Sequence, residues 1–261
     1  MSEAGVHVKV EQRHGSPVAL VTVDNRRKLN CLSTTLIVAL RTTFDTLSAD
    51  RTLRAVVLTG AGDRAFIGRA DLNELRAACT DSARLFITRL HQACDAIRKC
   101  PVPVIGRING FCLGAGLEVA ASCDFRAASD NATFGMPEVH MGIPSVIEAA
   151  LLPGQIGWGR TREMLLTGVI YSAAEALAMG FVQKAVPATA LDAAIDPWLA
   201  GITRATPEAV RSQKALIDRW ERVSIEEGIH AGIDALSDAY KTGEPQAAIK
   251  AFFAAKAGSK R

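Results

Sequence analysis

Residues 109–124, Asn-Gly-Phe-Cys-Leu-Gly-Ala-Gly-Leu-Glu-Val-Ala-Ala-Ser-Cys-Asp, bring bare main chain and a carboxylate together. Gly114, Ala115 and Gly116 leave the backbone uncovered, so a ligand atom can approach its N–H groups. An apolar, strand-like run, Val102-Pro-Val-Ile-Gly-Arg-Ile108, leads into them, and a small-residue helix is expected over 115–122. The first N–H groups of a helix have no partner within it, and the helix dipole draws negative charge to that end. Glu118 stands three residues after Ala115, which places its carboxyl on the same helix face as the open Ala115 N–H. A donor for a developing oxyanion beside a carboxylate supplies two parts of one active site.

Two further stretches can complete it. Ala65-Phe-Ile-Gly-Arg-Ala-Asp-Leu72 follows an apolar run at 54–60; Gly68 permits an unusual turn there. A helix start at Ala70 offers a second open N–H, and in parallel sheets ligands collect where strand ends meet helix starts. Phe134-Gly-Met-Pro-Glu138 carries a second carboxylate between a proline and the turn at Gly142. Two carboxyls around one cavity repel each other, so one can hold a proton while the other stays ionised. Glu118 alone would read as a surface charge, but its neighbours Leu117, Val119, Ala120 and Ala121 argue against simple exposure. His140 reads as a structural histidine, and Cys112 has no histidine beside it to activate a thiolate. Gly60-Ala-Gly-Asp-Arg-Ala65 fits the glycine fingerprint of nicotinamide-binding enzymes, yet Phe66-Ile-Gly68 breaks the helix that must follow at once.

The elements that must position these groups are readable from periodicity. Residues 6–10 and 17–23 read as strands, and 24–30 as a basic loop. Ser33 caps a helix whose inner face is Leu36, Leu40, Phe44 and Leu47. A buried strand is expected over 54–60, a loop over 61–69, a short helix over 70–75 and a longer one over 81–99. Short strands follow at 124–127 and 132–134. Beyond Gly142 the chain is mainly helical. A helix is expected at 159–166, capping boxes at Ser172/Glu175 and Ser224/Glu227, a last strand at 181–186 and a helix start at Thr206-Pro207. Strands alternating with helices predict an α/β fold with parallel strands, here with a core over 1–200 and a helical region over 201–261.

Composition sets the outer limits. The 261 residues are 49% apolar and 22% charged, as in a protein with a substantial core. A net charge of +3 is too small for a nucleic-acid binder and suits a small anionic ligand held by a few local bases. Six cysteines show neither paired spacing nor ligand spacing with the five histidines, so no metal site is expected and reduced thiols in a cytoplasmic protein are. The first residues lack the basic and apolar segments of a signal peptide, and no apolar run is long enough to span a membrane.

The stretches at 65–72, 109–124 and 134–144, with Arg162-Glu-Met-Leu-Leu-Thr-Gly168 and Ala174-Glu-Ala-Leu-Ala-Met-Gly-Phe-Val182, resemble in order and spacing the successive motifs of the enoyl-CoA hydratase/isomerase (crotonase) family. The likeness covers nearly the whole chain. It implies a spiral of ββα turns with a helical C-terminal trimerisation region, assembled as a trimer or a dimer of trimers. It implies an acyl-CoA substrate, coenzyme A being part of that substrate and no separate cofactor being needed. The thioester oxygen would lie between the N–H groups of Ala70 and Ala115. Glu118 would take a proton from water and Glu138 would deliver one to the α-carbon. Arg26, Lys28, Asn30, Gly68, Arg69, Asp71, Leu72 and Gly114 would lie along the CoA and substrate. The presence of both glutamates favours hydration over the other reactions of the family: enoyl isomerisation, thioester hydrolysis and C–C cleavage. Two departures stand out. Ala115 replaces the middle glycine common in hydratases. Ser145-Val-Ile-Glu-Ala-Ala-Leu-Leu-Pro153 replaces a glycine-rich stretch beside the acyl pocket, and is expected to open a helix and to change which acyl groups fit.

Overall fold

The computed structural model describes residues 4–258. Residues 1–3, part of the stretch read for a signal peptide, lie outside them, as do the last three residues of the 201–261 region. The chain opens with a hairpin, β1 (Gly5–Arg13) and β2 (Ser16–Asp24). Its two-residue turn, His14-Gly15, has positive φ at both positions, 50° and 74°, which matches the twist of a tight hairpin. The Ser33 hydroxyl accepts from the Leu36 N–H and starts α1 (Thr34–Ala49), and Leu36, Leu40, Phe44 and Leu47 are all buried on one face, as their spacing predicts.

A strand–strand–helix rhythm then repeats. The first turn is β3 (Ala55–Gly60), β4 (Ala65–Ile67), α2 (Leu72–Arg76) and α3 (Thr80–Lys99). The second is β5 (Val104–Ile108), β6 (Phe111–Leu113) and α4 (Ala115–Ala121). The third is β7 (Phe125–Ser129) and β8 (Thr133–Gly135), followed by 3-10 turns at Pro137–Met141 and Ile147–Leu151 and by α5 (Leu152–Thr167). After β9 (Ile170–Ser172), α6 (Ala173–Ala178) and β10 (Lys184–Val186) come α7 (Leu191–Arg204), α8 (Pro207–Trp220), α9 (Ile225–Ala239) and α10 (Glu244–Gly258).

The first strand of each turn joins a six-stranded sheet, β1-β2-β3-β5-β7-β10, and the second joins a four-stranded one, β4-β6-β8-β9. Within each turn the strands run parallel to those of the next; the hairpin and the β8–β9 pair are antiparallel. The corner from sheet to sheet is tight. Gly110 has φ 149°, and a Cβ there would fall 2.2 Å from the Arg64 carbonyl. Asn109 clamps the same corner: its amide donates to Gly60 O and Gly62 O, and its oxygen accepts from the Gly60 N–H and the Thr59 hydroxyl. The main core fills the space between the sheets and α1, α3 and α4, while Leu191, Ile195 and Leu199 of α7 close the other face of the large sheet.

The structure corrects several expected bounds. Residues 65–67 of the expected loop are strand β4, because they extend the smaller sheet beside β6. The short helix starts at Leu72, with Asp71 as its cap, leaving Ala70 in extended chain. The helix read over 159–166 begins at Leu152, broken at Gly157 (φ 75°, ψ 159°). The segment after Ser145 opens as a 3-10 turn rather than an α-helix. Strands β6 and β9, three residues each, carry too little pattern to be seen in sequence.

Helix α8 is fastened to the core by buried cations. Lys214 Nζ donates to Val102 O and, at 2.6 Å, to Asp124 Oδ2; Arg211 donates to Leu53 O. Helices α9 and α10 leave Ile225, Ile229, Ile233, Leu236, Phe252 and Phe253 exposed. Among the described residues no helix is long and apolar enough to cross a membrane, and no cluster of His, Cys, Asp and Glu could hold a metal ion.

Candidate active site

Gly114, Ala115 and Gly116 set the geometry of the α4 start. Gly114 has φ 53° and ψ −120°, a conformation open to glycine, and a Cβ there would meet Glu138 Oε1 at 2.3 Å. A Cβ on Gly116 would fall 2.0 Å from Ile67 O, so only glycine lets α4 pack this closely on β4. The Gly114 N–H is bound to Gly135 O, and the Glu118 N–H turns back to Gly114 O. Ala115, one residue into the helix, keeps a main-chain N–H with no acceptor among the described residues.

The second open donor arises differently. The loop at 26–32 is zipped onto residues 68–71: Gly68 N–H donates to Leu29 O, Leu32 N–H to Arg69 O and Asp71 N–H to Leu32 O. In such an extended pairing alternate N–H groups point away from the partner. Ala70 is that alternate residue, and among the described residues its N–H also meets no acceptor.

Ala70, Ala115, Glu118 and Glu138 line one cavity of about 290 Å³, with Arg69 and Leu72 beside them. Its apolar wall comes from Phe86, Ile87 and Leu90 of α3 and from Val146. A larger cavity, about 530 Å³, lies between α8 and the start of β7 and contains none of these four groups.

Glu118 is only 4% exposed, and its carboxyl holds its proton well above the usual carboxylate range. Burial is the largest cause, followed by the charges of Glu138 and Glu148; the Ala149 N–H opposes them weakly. Burial raises Glu138 as well, offset by the Ser145 hydroxyl, which donates to Oε2 at 3.0 Å. Both carboxyls are thus drawn toward the protonated form, Glu118 by deeper burial and by facing two other carboxylates.

The remaining expected site residues divide. Arg26 and Lys28 stand exposed on a 3-10 turn, Arg26 paired with Asp24 at 2.6 Å and Lys28 with Asp71 at 3.2 Å. Gly68 allows the zipper, since a Cβ there would lie 2.9 Å from Leu29 O. Asn30 corrects its expected place as a ligand contact. It is 1% exposed, and its side chain bonds Ala61 O, Ala65 O and the Asn25 N–H, so it clasps the loop. Asp71 is similarly turned inward: it caps α2 through the Asn73 N–H and takes the Lys28 ammonium. His140 is exposed, with its ring against Gly168. The Cys112 thiol is buried and donates to Gly116 O.

Sequence reasoning passed over Glu148, which is 4% exposed and tied to His91. A carboxylate inside the run Ser145-Val-Ile-Glu-Ala-Ala-Leu-Leu-Pro153 was a signal, but the 3-10 turn that sends it inward leaves no periodic trace.

Stacked strand–strand–helix turns with a helical C-terminal region, and a carboxyl pair from α4 and the turn after β8 in one cavity, define a crotonase-fold enzyme. Residues 13–257 match the sequence profile described as Enoyl-CoA hydratase/isomerase, and the chain belongs to that family. The short-chain-enoyl-CoA hydratase of Clostridium acetobutylicum is 32% identical over 236 residues, 90% of each chain. The mevalonyl-coenzyme A hydratase sidH of Aspergillus fumigatus is 35% identical over 224 residues, 83% of this chain and 81% of that one. The crystal structure of the enoyl-CoA hydratase of Bacillus anthracis superposes with a TM-score of 0.90 at 30% identity, covering 95% of both chains.

Proposed function

We propose that the protein hydrates a 2-enoyl-CoA thioester to the 3-hydroxyacyl-CoA. The observation that carries this reading is the meeting of two unpartnered main-chain donors and two carboxyls in one apolar cavity. The thioester C=O accepts from Ala70 N–H and Ala115 N–H. A water molecule lies between Glu118 and Glu138. The ionised carboxylate takes a proton from the water as its oxygen bonds to the β-carbon. The π electrons shift toward the thioester oxygen, forming an enolate held by the two N–H groups. The protonated carboxyl then gives its proton to the α-carbon. The pair gains one proton and loses one, so no cofactor enters. One oxyanion donor in a dry site is worth about 2.7–4 kcal/mol, and one general acid or base about 10²–10⁴ in rate.

With Glu118 as base and Glu138 as acid, the shared proton crosses the bridging water when substrate binds. The deeper burial of Glu118 and the charges it faces support the converse, Glu138 as base and Glu118 as acid. Glu118→Gln and Glu138→Gln separate the two, since each removes the pH limb of the group it replaces. The basic loop with Arg26, Lys28 and Arg69 suits the CoA phosphates. The apolar faces of α9 and α10 suit contact between copies in a trimer or a dimer of trimers, and the free, mostly buried cysteines suit the cytoplasm.

The test is a panel of short, branched and aromatic 2-enoyl-CoAs, read by loss of the conjugated-thioester absorbance. Conversion of at least one is expected, with Glu138→Gln slower by about 10²–10⁴. No conversion of the panel, with turnover of a 3-enoyl-CoA, replaces hydration by isomerisation.

A further inference from the structure

A third carboxylate stands behind the pair, outside the cavity and unused by the chemistry above. Glu148 lies in the 3-10 turn at Ile147–Leu151, which packs on α4 and α3. Its residue is 4% exposed. Its Oε1 accepts from His91 Nδ1–H at 2.8 Å, and its Oε2 is buried with no hydrogen-bond partner. Such an orphaned carboxylate oxygen is costly and calls for a compensating role. The backbone is forced as well. Ile147, just before it, has φ 44°, a conformation that a β-branched residue avoids and that costs of the order of 1–3 kcal/mol. The next residue, Ala149, spends its N–H within the turn, on Val146 O at 3.0 Å. The turn that carries Glu148 packs on α4, the helix that carries Glu118.

The charges around this turn can be named from each packed element. From α3, His91, Cys94 and Arg98 face Glu148, and the Cys94 thiol faces Glu118 too. From the turn at Pro137–Met141, Glu138 faces Glu118. The His91 side chain is 51% exposed. His91 thus joins solvent to the buried Glu148, whose turn packs on the helix of Glu118.

We propose that the His91–Glu148 pair acts through Glu118, as a positioning pair that decides which of the two cavity carboxyls holds their shared proton. The inference rests on the hydratase reading for its effect on turnover, but not for its effect on Glu118. Glu148 presents a negative charge to Glu118 from the side away from the cavity. That charge makes ionisation of Glu118 harder and leaves Glu138, with its Ser145 hydroxyl, the easier of the two to ionise. Burial raises the proton affinity of Glu148 itself, and His91 opposes that rise, favouring its charged form. Its imidazole needs no contact with substrate to do this.

The test uses the full chain with Glu148→Gln, His91→Gln and the double variant, and two readouts. The first is a carbon-13 titration of glutamate-labelled protein, with the Glu118 carboxyl assigned through Glu118→Gln. Glu148→Gln is expected to move the Glu118 midpoint down by about one pH unit, the size of coupling at which two sites titrate as a pair. His91→Gln moves it the same way by less, and adds nothing in the Glu148→Gln background. The second readout is the pH profile of kcat/KM on a converted enoyl-CoA. The limb belonging to Glu118 moves with the titration, while KM at the pH optimum changes less than twofold. An unmoved Glu118 midpoint in Glu148→Gln overturns the proposal whatever the activity. A moved midpoint in a protein that converts no enoyl-CoA removes the hydratase reading and leaves the coupling standing. Should Glu148→Gln fail to fold, His91→Gln decides alone, since its half-exposed side chain carries little of the core.

Discussion

Gly114→Ala separates the active-site geometry from the stability of the fold. Two costs arise at that position. The backbone sits at φ 53° and ψ −120°, which an alanine adopts only at a cost of about 1–3 kcal/mol. The added Cβ would also meet Glu138 Oε1 at 2.3 Å, where ordinary contact begins near 3.4 Å, so the carboxyl must retreat by about 1 Å. A misplacement of that size at a reacting group can cost about 10²-fold in rate. The backbone cost alone lowers the melting temperature by about 2–12 °C, at about 2–4 °C per kcal/mol for a chain of this size. Gly62→Ala is the matched control. Gly62 also has a positive φ, 79°, but its Cβ would meet nothing within 4 Å. Both variants are expected to melt about 2–12 °C below wild type, measured by differential scanning calorimetry. Only Gly114→Ala is expected to lose about 10²-fold in kcat, measured by the fall in enoyl-thioester absorbance. Wild-type kcat in Gly114→Ala would refute the argument that this glycine exists to leave room for Glu138. Equal loss of activity in Gly62→Ala would assign the effect to general strain.

Three other perturbations test separate parts of the structure. Glu118→Gln should stabilise the protein increasingly as pH rises. The raised proton affinity of Glu118 gives stability that is full below its ordinary value of 4.5 and is lost as pH climbs through the folded value, so the gap in melting temperature should widen from pH 4.5 to pH 8 in favour of the variant; a constant gap would show that no buried charge is being relieved. Asn109→Ala leaves the Gly60 N–H and the Gly60 and Gly62 carbonyls without their partner at the sheet corner, and should cost about 2–4 kcal/mol, read by urea unfolding with an unchanged m-value. Ile229→Glu with Ile233→Glu places two charges on the exposed face of α9, where the wild-type side chains are 60% and 61% exposed. If this face joins copies, light scattering should then report a smaller species than wild type; an unchanged mass would remove this face from any such contact.

What the sequence could disclose depended on how local the cause was. The α1 face and the capping boxes at Ser172 and Ser224 are local: side chains three or four residues apart decide them, and the structure holds them where the spacing put them. Gly114 and Gly116 were legible as glycines at a turn, but their reason is not local. It is a carboxylate 24 residues on in one case and a strand carbonyl of the previous turn in the other. Asn30 shows the same limit from the opposite side. A polar residue in a basic loop looks like a ligand contact until Ala61 and Ala65 appear on either side of its amide. Glu148 was hidden most completely, because three non-local facts place it: a 3-10 turn, a positive φ at an isoleucine, and a histidine 57 residues earlier on another helix. Glu118 feels burial first, then Glu138, then that third carboxylate. A pair of acids read from spacing therefore specifies which groups can share a proton, whereas the burial and the further charge around each belong to the fold.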